Sequence, residues 1–147
     1  MNPRTESSPG DLPTGSSKGL CAEGCVQRKR RALVVDDDPC ARLYVTRVLE
    51  GLGFRVDTAE CVRSATLAIA GPCFDVVVSD GHLPDGLGPM VLDRVRSRGR
   101  DGDPGVTRMF GMTASTDGEL RRAFLDAGAG VVMIKPVPMM MLRAVVG

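Results

Sequence analysis

Four short hydrophobic runs in this chain each stop at a residue able to do chemistry. Leu33-Val34-Val35 runs into Asp36-Asp37-Asp38, Val76-Val77-Val78-Ser79 into Asp80, Met109-Phe110-Gly111-Met112 into Thr113, and Val131-Val132-Met133-Ile134 into Lys135. Parallel strands of one open sheet present their carboxyl ends at a common edge, where α/β proteins place ligand sites. The runs therefore predict acids, a hydroxyl and an amine converging on one spot. Gathered carboxylates repel, and at least one takes up a proton unless a cation joins them, so the cluster points to a divalent ion. All-oxygen donors favour magnesium, which keeps several waters and takes one or two protein carboxylates beside phosphate oxygens. A phosphoryl group suits such a site: the ion neutralises its charge, while Thr113 and Lys135 take its remaining oxygens.

Alternating elements must carry these residues. From Ala32 onward, apolar runs of four to seven residues alternate with stretches of helical period, the pattern of repeated βαβ units. The fold class expected is α/β, a single doubly wound five-stranded parallel sheet with helices on both faces. Strands are predicted over 31–36, 54–58 (alternating, at an edge), 74–79 (apolar, at the centre), 106–112 and 131–134. Asp38 should cap the first helix, with Pro39 in its first turn and Leu43, Val45, Val48, Leu49 and Leu52 along it. A second helix over about 60–70 should bury Val62, Ala65, Leu67 and Ile69, and a third should carry Met90, Val91 and Val95. The fourth starts at Ser115 as N-cap and runs through Leu120, Phe124 and Leu125 to Gly128; the last spans 139–146. Asp85 reads as a turn residue and residues 98–105 as a solvent loop. Met139, Met140 and Met141 should divide between core and adjacent surface, and Cys40, Cys61 and Cys73 should be small packing residues.

Composition bounds the remaining possibilities. A chain of 147 residues, 43% hydrophobic and 25% charged, fits one globular domain. No window holds 18 consecutive apolar residues and the first 25 residues lack a secretory core, so a soluble cytoplasmic protein is expected, without a membrane partner. Five cysteines, an odd number, suit reduced thiols in a cytosol. The net charge of +1 divides into six bases and three acids over residues 1–31 against thirteen bases and fifteen acids beyond; no direct DNA binding is expected. Residues 1–30, with Pro3, Pro9, Pro13 and several Gly and Ser, read as a disordered tail before a domain at 31–147. Cys21 and Cys25 lack zinc-knuckle spacing, His82 is the single histidine, and Arg28-Lys29-Arg30-Arg31 reads as a solvated face.

Leu33-Val34-Val35-Asp36-Asp37-Asp38-Pro39, Ser79-Asp80-Gly81-His82-Leu83-Pro84-Asp85-Gly86, Met112-Thr113-Ala114 and Ile134-Lys135-Pro136 together resemble the receiver domain of bacterial response regulators, the chemotaxis-regulator-like module of two-component signalling. The resemblance covers about residues 31–147. It implies that Asp80 is the phosphoacceptor and that Asp36, Asp37, Asp80 and the backbone carbonyl of His82 hold magnesium. Thr113 and Lys135 would then sense the phosphoryl group. It further implies in-line attack by Asp80 on a phosphohistidine of a sensor histidine kinase or phosphotransfer protein, and a downstream protein target that the sequence does not identify. The chain is thus expected to be a stand-alone phosphorylatable switch rather than an enzyme, assisting only its own modification.

One position departs from the family. Three residues before the lysine, where receivers usually carry tyrosine or phenylalanine, stands Val132. Its stiff χ1 and missing ring leave backbone shifts or partner contacts to carry any output. The His82 side chain is expected to face solvent and tune access of water to the site. Two other readings compete. Val34 to Asp38 also resembles the strand end of haloacid-dehalogenase-type phosphohydrolases, with Asp36 as nucleophile and Asp38 as acid; that leaves Asp80 idle and finds no later acidic pair after Lys135. A receiver-shaped interaction module that takes no phosphate is the other, and intact Asp80, Thr113 and Lys135 argue against it.

Overall fold

The structure, a computed structural model, describes residues 29–99 and 107–147. Residues 1–28 of the expected 1–30 tail, with Cys21 and Cys25, and most of the expected solvent loop lie outside the described residues. The elements follow the chain as β1 (Arg31–Val35), α1 (Pro39–Gly51), β2 (Arg55–Ala59), α2 (Val62–Ile69), β3 (Val76–Asp80), β4 (His82–Leu83), β5 (Gly86–Leu87), α3 (Gly88–Gly99), β6 (Arg108–Thr113), α4 (Gly118–Asp126), β7 (Val131–Ile134) and α5 (Met139–Val146). Five strands form one sheet in the order β2-β1-β3-β6-β7, every neighbouring pair parallel. This is the flavodoxin-like doubly wound arrangement, whose strand order reverses between β1 and β3. β4 and β5 form a separate antiparallel pair just after Asp80.

Strand periodicity sorts the core into two layers. Leu33, Val35 and Val77 point to one face and pack with Val62, Ala65 and Ile69 of α2, Val91, Leu92 and Val95 of α3, and Leu120 and Phe124 of α4. Ala32, Val34, Val76 and Val78 point to the other and pack with Val45, Val48 and Leu49 of α1 and Leu142 and Val146 of α5. Every residue of β3 is buried, as a central strand covered on both faces requires. Register also explains where the strands begin. β2 starts at Arg55, after Phe54, which is buried in the α1–α5 layer; β3 starts at Val76, after Asp75, whose N–H donates to the Arg31 carbonyl at 2.8 Å and whose carboxylate accepts the Arg31 N–H at 2.8 Å.

Several sequence expectations are corrected here. Helix α4 is capped by Asp117, whose carboxylate accepts the Glu119 N–H at 2.9 Å; Ser115 shapes the approach, accepting the Asp117 N–H at 2.9 Å. Cys61 caps α2, its Sγ accepting the Ser64 N–H at 3.4 Å, and Cys40 and Cys73 are exposed rather than packed. Leu67, expected to be buried, is exposed, as are Leu43, Met90 and Leu125, because each helix lies on a single sheet face and the stripe it buries is narrower than its apolar periodicity. Met139, Met140 and Met141 are all exposed, Met140 by 83%; Leu142 and Val146 anchor α5 instead. Gly88 admits no side chain, since a Cβ there would lie 2.1 Å from the Asp80 carbonyl oxygen. That close approach folds the segment after Asp80 back onto the sheet edge, with the Gly88 N–H donating to the Gly81 carbonyl at 2.9 Å.

Candidate functional site

Strand register brings the site together. Val35 lies beside Ser79 in the β1–β3 ladder, so Asp36 and Asp80, one residue further on, emerge side by side. Asp80 lies beside Met112 across β3–β6, and Thr113 beside Ile134 across β6–β7, which sets Thr113 and Lys135 at the same carboxyl edge. The Lys135 N–H extends that last ladder, donating to the Thr113 carbonyl at 2.8 Å. Convergence of acids, hydroxyl and amine thus follows from four strands ending in line.

Oxygens of the Asp36, Asp37 and Asp80 carboxylates lie within 4.8 Å of one another, with Asp36 and Asp80 buried and Asp37 exposed. The Lys135 ammonium bridges the two buried acids, 2.8 Å from Asp36 Oδ2 and 3.3 Å from Asp80 Oδ1. Asp80 Oδ1 also accepts the Gly81 N–H at 2.8 Å, and Asp36 Oδ1 accepts the Asp38 N–H at 3.0 Å. Thr113 is buried; its Oγ1 accepts the Ser115 N–H at 3.0 Å, which leaves the hydroxyl proton available for a further acceptor.

Burial, and next the neighbouring Asp36 charge, push the Asp80 carboxyl above its ordinary range despite the opposing Lys135 ammonium. Burial works against the Lys135 charge too, but the hydrogen bond to Asp36 and the charges of Asp80 and Asp36 outweigh it and hold the amine above its usual value. Three carboxylates with one ammonium, which reaches only Asp36 and Asp80, are short of positive charge. The all-oxygen donor set fits a hard divalent cation such as magnesium.

Other residues singled out by sequence take different places. Asp38 turns away from the cluster and caps α1, Oδ1 accepting the Cys40 N–H at 3.0 Å. His82 is exposed on β4, as its solvent-facing expectation had it. Asp85 is more than a turn residue: its two carboxylate oxygens accept the Val62 and Arg63 N–H groups at 2.7 and 2.9 Å, and these bonds hold its carboxyl below the usual range. Sequence reasoning also missed Tyr44, whose hydroxyl donates to the Val137 carbonyl at 2.8 Å, tying α1 to the segment after Lys135. No local pattern signals either bond, because the partners are 23 and 93 residues away. A groove of about 760 Å³ opens beside Lys135 between Cys40, Ala41, Tyr44, Pro136 and Pro138.

Residues 32–147 match the response regulator receiver domain family. The sensor protein GacS of Pseudomonas syringae pv. syringae is 28% identical over 119 residues, which make up 81% of this chain and 13% of that protein; the chain thus spans a small part of this relative's length. A CheY-like response regulator receiver domain protein from Methanospirillum hungatei JF-1 superposes with a TM-score of 0.73 at 26% identity, covering 81% of this chain and 91% of that one. The receiver domain of sensor histidine kinase PA1611 from Pseudomonas aeruginosa PAO1, solved with magnesium coordinated in its active site cleft, superposes at 0.68 with 22% identity over 80% of this chain and 94% of its own. The order of strands, the acids at the switch point and the matched sequence agree: the chain belongs to the response regulator receiver domains, the phosphorylation-linked signalling modules of two-component systems.

Proposed function

We propose that residues 31–147 form a phosphoacceptor switch in which Asp80 receives a phosphoryl group from the phosphohistidine of a sensor histidine kinase or phosphotransfer protein. The observation that carries this reading is the cluster itself: three carboxylates within 4.8 Å, two of them joined through one ammonium. Asp36, Asp37, Asp80 and the His82 backbone carbonyl are the residues that would hold Mg2+. Bound there, the ion would neutralise charge on the transferring oxygens. The chain's own groups do the rest. Asp80 directs a carboxylate oxygen at phosphorus, in line with the departing histidine nitrogen. The Lys135 ammonium, already between Asp36 and Asp80, moves onto a phosphoryl oxygen as Asp80 loses its negative oxygen to the new bond, and the Thr113 hydroxyl donates to another.

The magnesium-bearing neighbour supports the choice of ion, and the kinase relatives support the class of donor. Among the described residues no helix is long and apolar enough to cross a membrane, which suits a cytoplasmic site of action. The groove beside Lys135 offers the phosphodonor an approach next to the cluster. In this reading the domain signals by altering what binds it, and turns over no substrate beyond its own aspartyl phosphate. The test is intact mass after incubation with acetyl phosphate, with and without a chelator, beside Asp80→Asn. A single phosphoryl adduct that needs both the metal and Asp80 is expected; its absence from the wild type under every condition would overturn the reading in favour of a receiver-shaped binding module.

A further inference from the structure

We infer that Asp85 is a positioning residue for the metal site: it clamps the His82–Leu87 hairpin onto the amino terminus of α2 and so sets where the His82 carbonyl stands. The inference rests on the reading of His82 as a metal ligand proposed above. Its basis is a complete set of partners at one helix end. Helices begin with four N–H groups that lack intrahelical acceptors. In α2 the Cys61 N–H goes to Ser64 Oγ at 3.2 Å and the Ser64 N–H to Cys61 Sγ at 3.4 Å. The remaining two, Val62 and Arg63, both go to the Asp85 carboxylate, at 2.7 and 2.9 Å. The first turn of α2 is therefore finished by a residue from another segment.

That segment is the one that leaves Asp80. It is held at its base, where the Gly81 N–H donates to Met112 at 2.7 Å and Gly88 to Gly81 at 2.9 Å, and His82 pairs with Leu87 and Leu83 with Gly86 across it. Leu83 is buried in the same cluster as Val62, and a Cβ on Gly86 would come within 3.2 Å of Val62 Cγ2. The hairpin thus lies on the start of α2, with apolar contact below and the Asp85 carboxylate locking its tip. A carboxylate at a helix amino terminus is also favoured by the helix dipole, which agrees with the lowered Asp85 carboxyl. Because His82 sits in this short hairpin, three residues before the clamp, releasing the tip frees its carbonyl to leave the carboxylates. Loss of a partner that orients a metal's ligand commonly costs about 10- to 100-fold in affinity.

Magnesium titration by calorimetry on the full chain at 0.15 M salt, paired with melting curves, tests this through Asp85→Ala, Asp85→Asn and Ser64→Ala. Asp85→Ala should weaken Mg2+ binding about tenfold. Asp85→Asn, which loses the charge but keeps one acceptor oxygen, should weaken it by less. Ser64→Ala, which loosens the start of α2 through a side chain that bonds Glu60 and Cys61 rather than the hairpin, should lower the melting temperature and leave Mg2+ affinity within about twofold, since its effect stays at the helix end. In acetyl phosphate labelling, Asp85→Ala should regain the wild-type rate at saturating Mg2+. Unchanged affinity in Asp85→Ala would overturn the positioning role, as would equal losses in Ala and Asn, which would mark a simple charge effect. Equal losses in Asp85→Ala and Ser64→Ala would overturn it too, by showing general loosening of α2. If the wild type itself bound no Mg2+, the metal site would fall and the role of Asp85 with it, an outcome distinct from the other three.

Discussion

At the scale of single residues the site is held in balance by Lys135. Its ammonium serves two buried acids, and removing it leaves Asp36, fully buried, without its cationic partner. Breaking one side of a buried ion pair commonly costs about 3–5 kcal/mol; Lys135 is partly exposed, and solvent screening reduces the expected loss for Lys135→Ala to about 2 kcal/mol, measurable by denaturant unfolding. Asp80 behaves in the opposite sense. Its carboxyl is raised in the folded chain by burial and by Asp36, so the fold favours its protonated form. The stability linked to that proton is fully present below the unfolded value of 3.8 and is lost as pH rises through the folded value. Metal-free Asp80→Asn should therefore be more stable than wild type near pH 7, by about 1 kcal/mol, or about 3 °C in melting temperature. The advantage should shrink as pH falls toward 3.8. An Asn variant that melted lower at pH 7 would show that the pairing with Lys135 outweighs burial and repulsion.

Elements explain why some of these residues are legible in sequence and others are not. Asp36, Asp80, Thr113 and Lys135 each stand at or just past the end of a strand built on a short, largely apolar run, and such a run marks both the strand and its end. Asp85 and Tyr44 work across the fold, on partners 23 and 93 residues away, and nothing in their neighbourhood announces it. Helix starts fail for a different reason. Ser115 and Asp117 both suit a cap, and tertiary geometry assigns the role to Asp117. Asp117→Ala should accordingly cost about 1 kcal/mol, whereas Ser115→Ala should cost less; the reverse order in unfolding experiments would return the cap to Ser115. Tyr44 joins α1 to the segment after Lys135 in a chain whose Val132 offers no ring to swing. Tyr44→Phe removes that link while keeping the ring, and about 0.5–1.5 kcal/mol of stability should go with it; an unchanged unfolding midpoint would show that the bond contributes nothing.

Across the whole molecule, fold class follows from the alternation of short apolar runs with amphipathic stretches, since a parallel sheet needs a crossover between successive strands. What alternation cannot convey is how much of each helix is covered. Leu43, Leu67 and the methionines of α5 remain exposed because the sheet is only five strands wide and each helix meets it along one stripe. The doubly wound order has one further effect: it reverses between β1 and β3, the two strands that end in the buried acids. A ligand bound at that junction stabilises the folded chain by mass action, so saturating Mg2+ should raise the melting temperature of the wild type and do so less for Asp36→Asn.

The central claim is that Asp80 carries the phosphoryl group. Borohydride reduction of the acetyl phosphate-treated protein converts an aspartyl phosphate to homoserine, and peptide mass spectrometry then locates it. The account predicts homoserine at position 80 alone, formed with Mg2+ and lost with chelator; homoserine at position 36 or 37, or at no position, would contradict it.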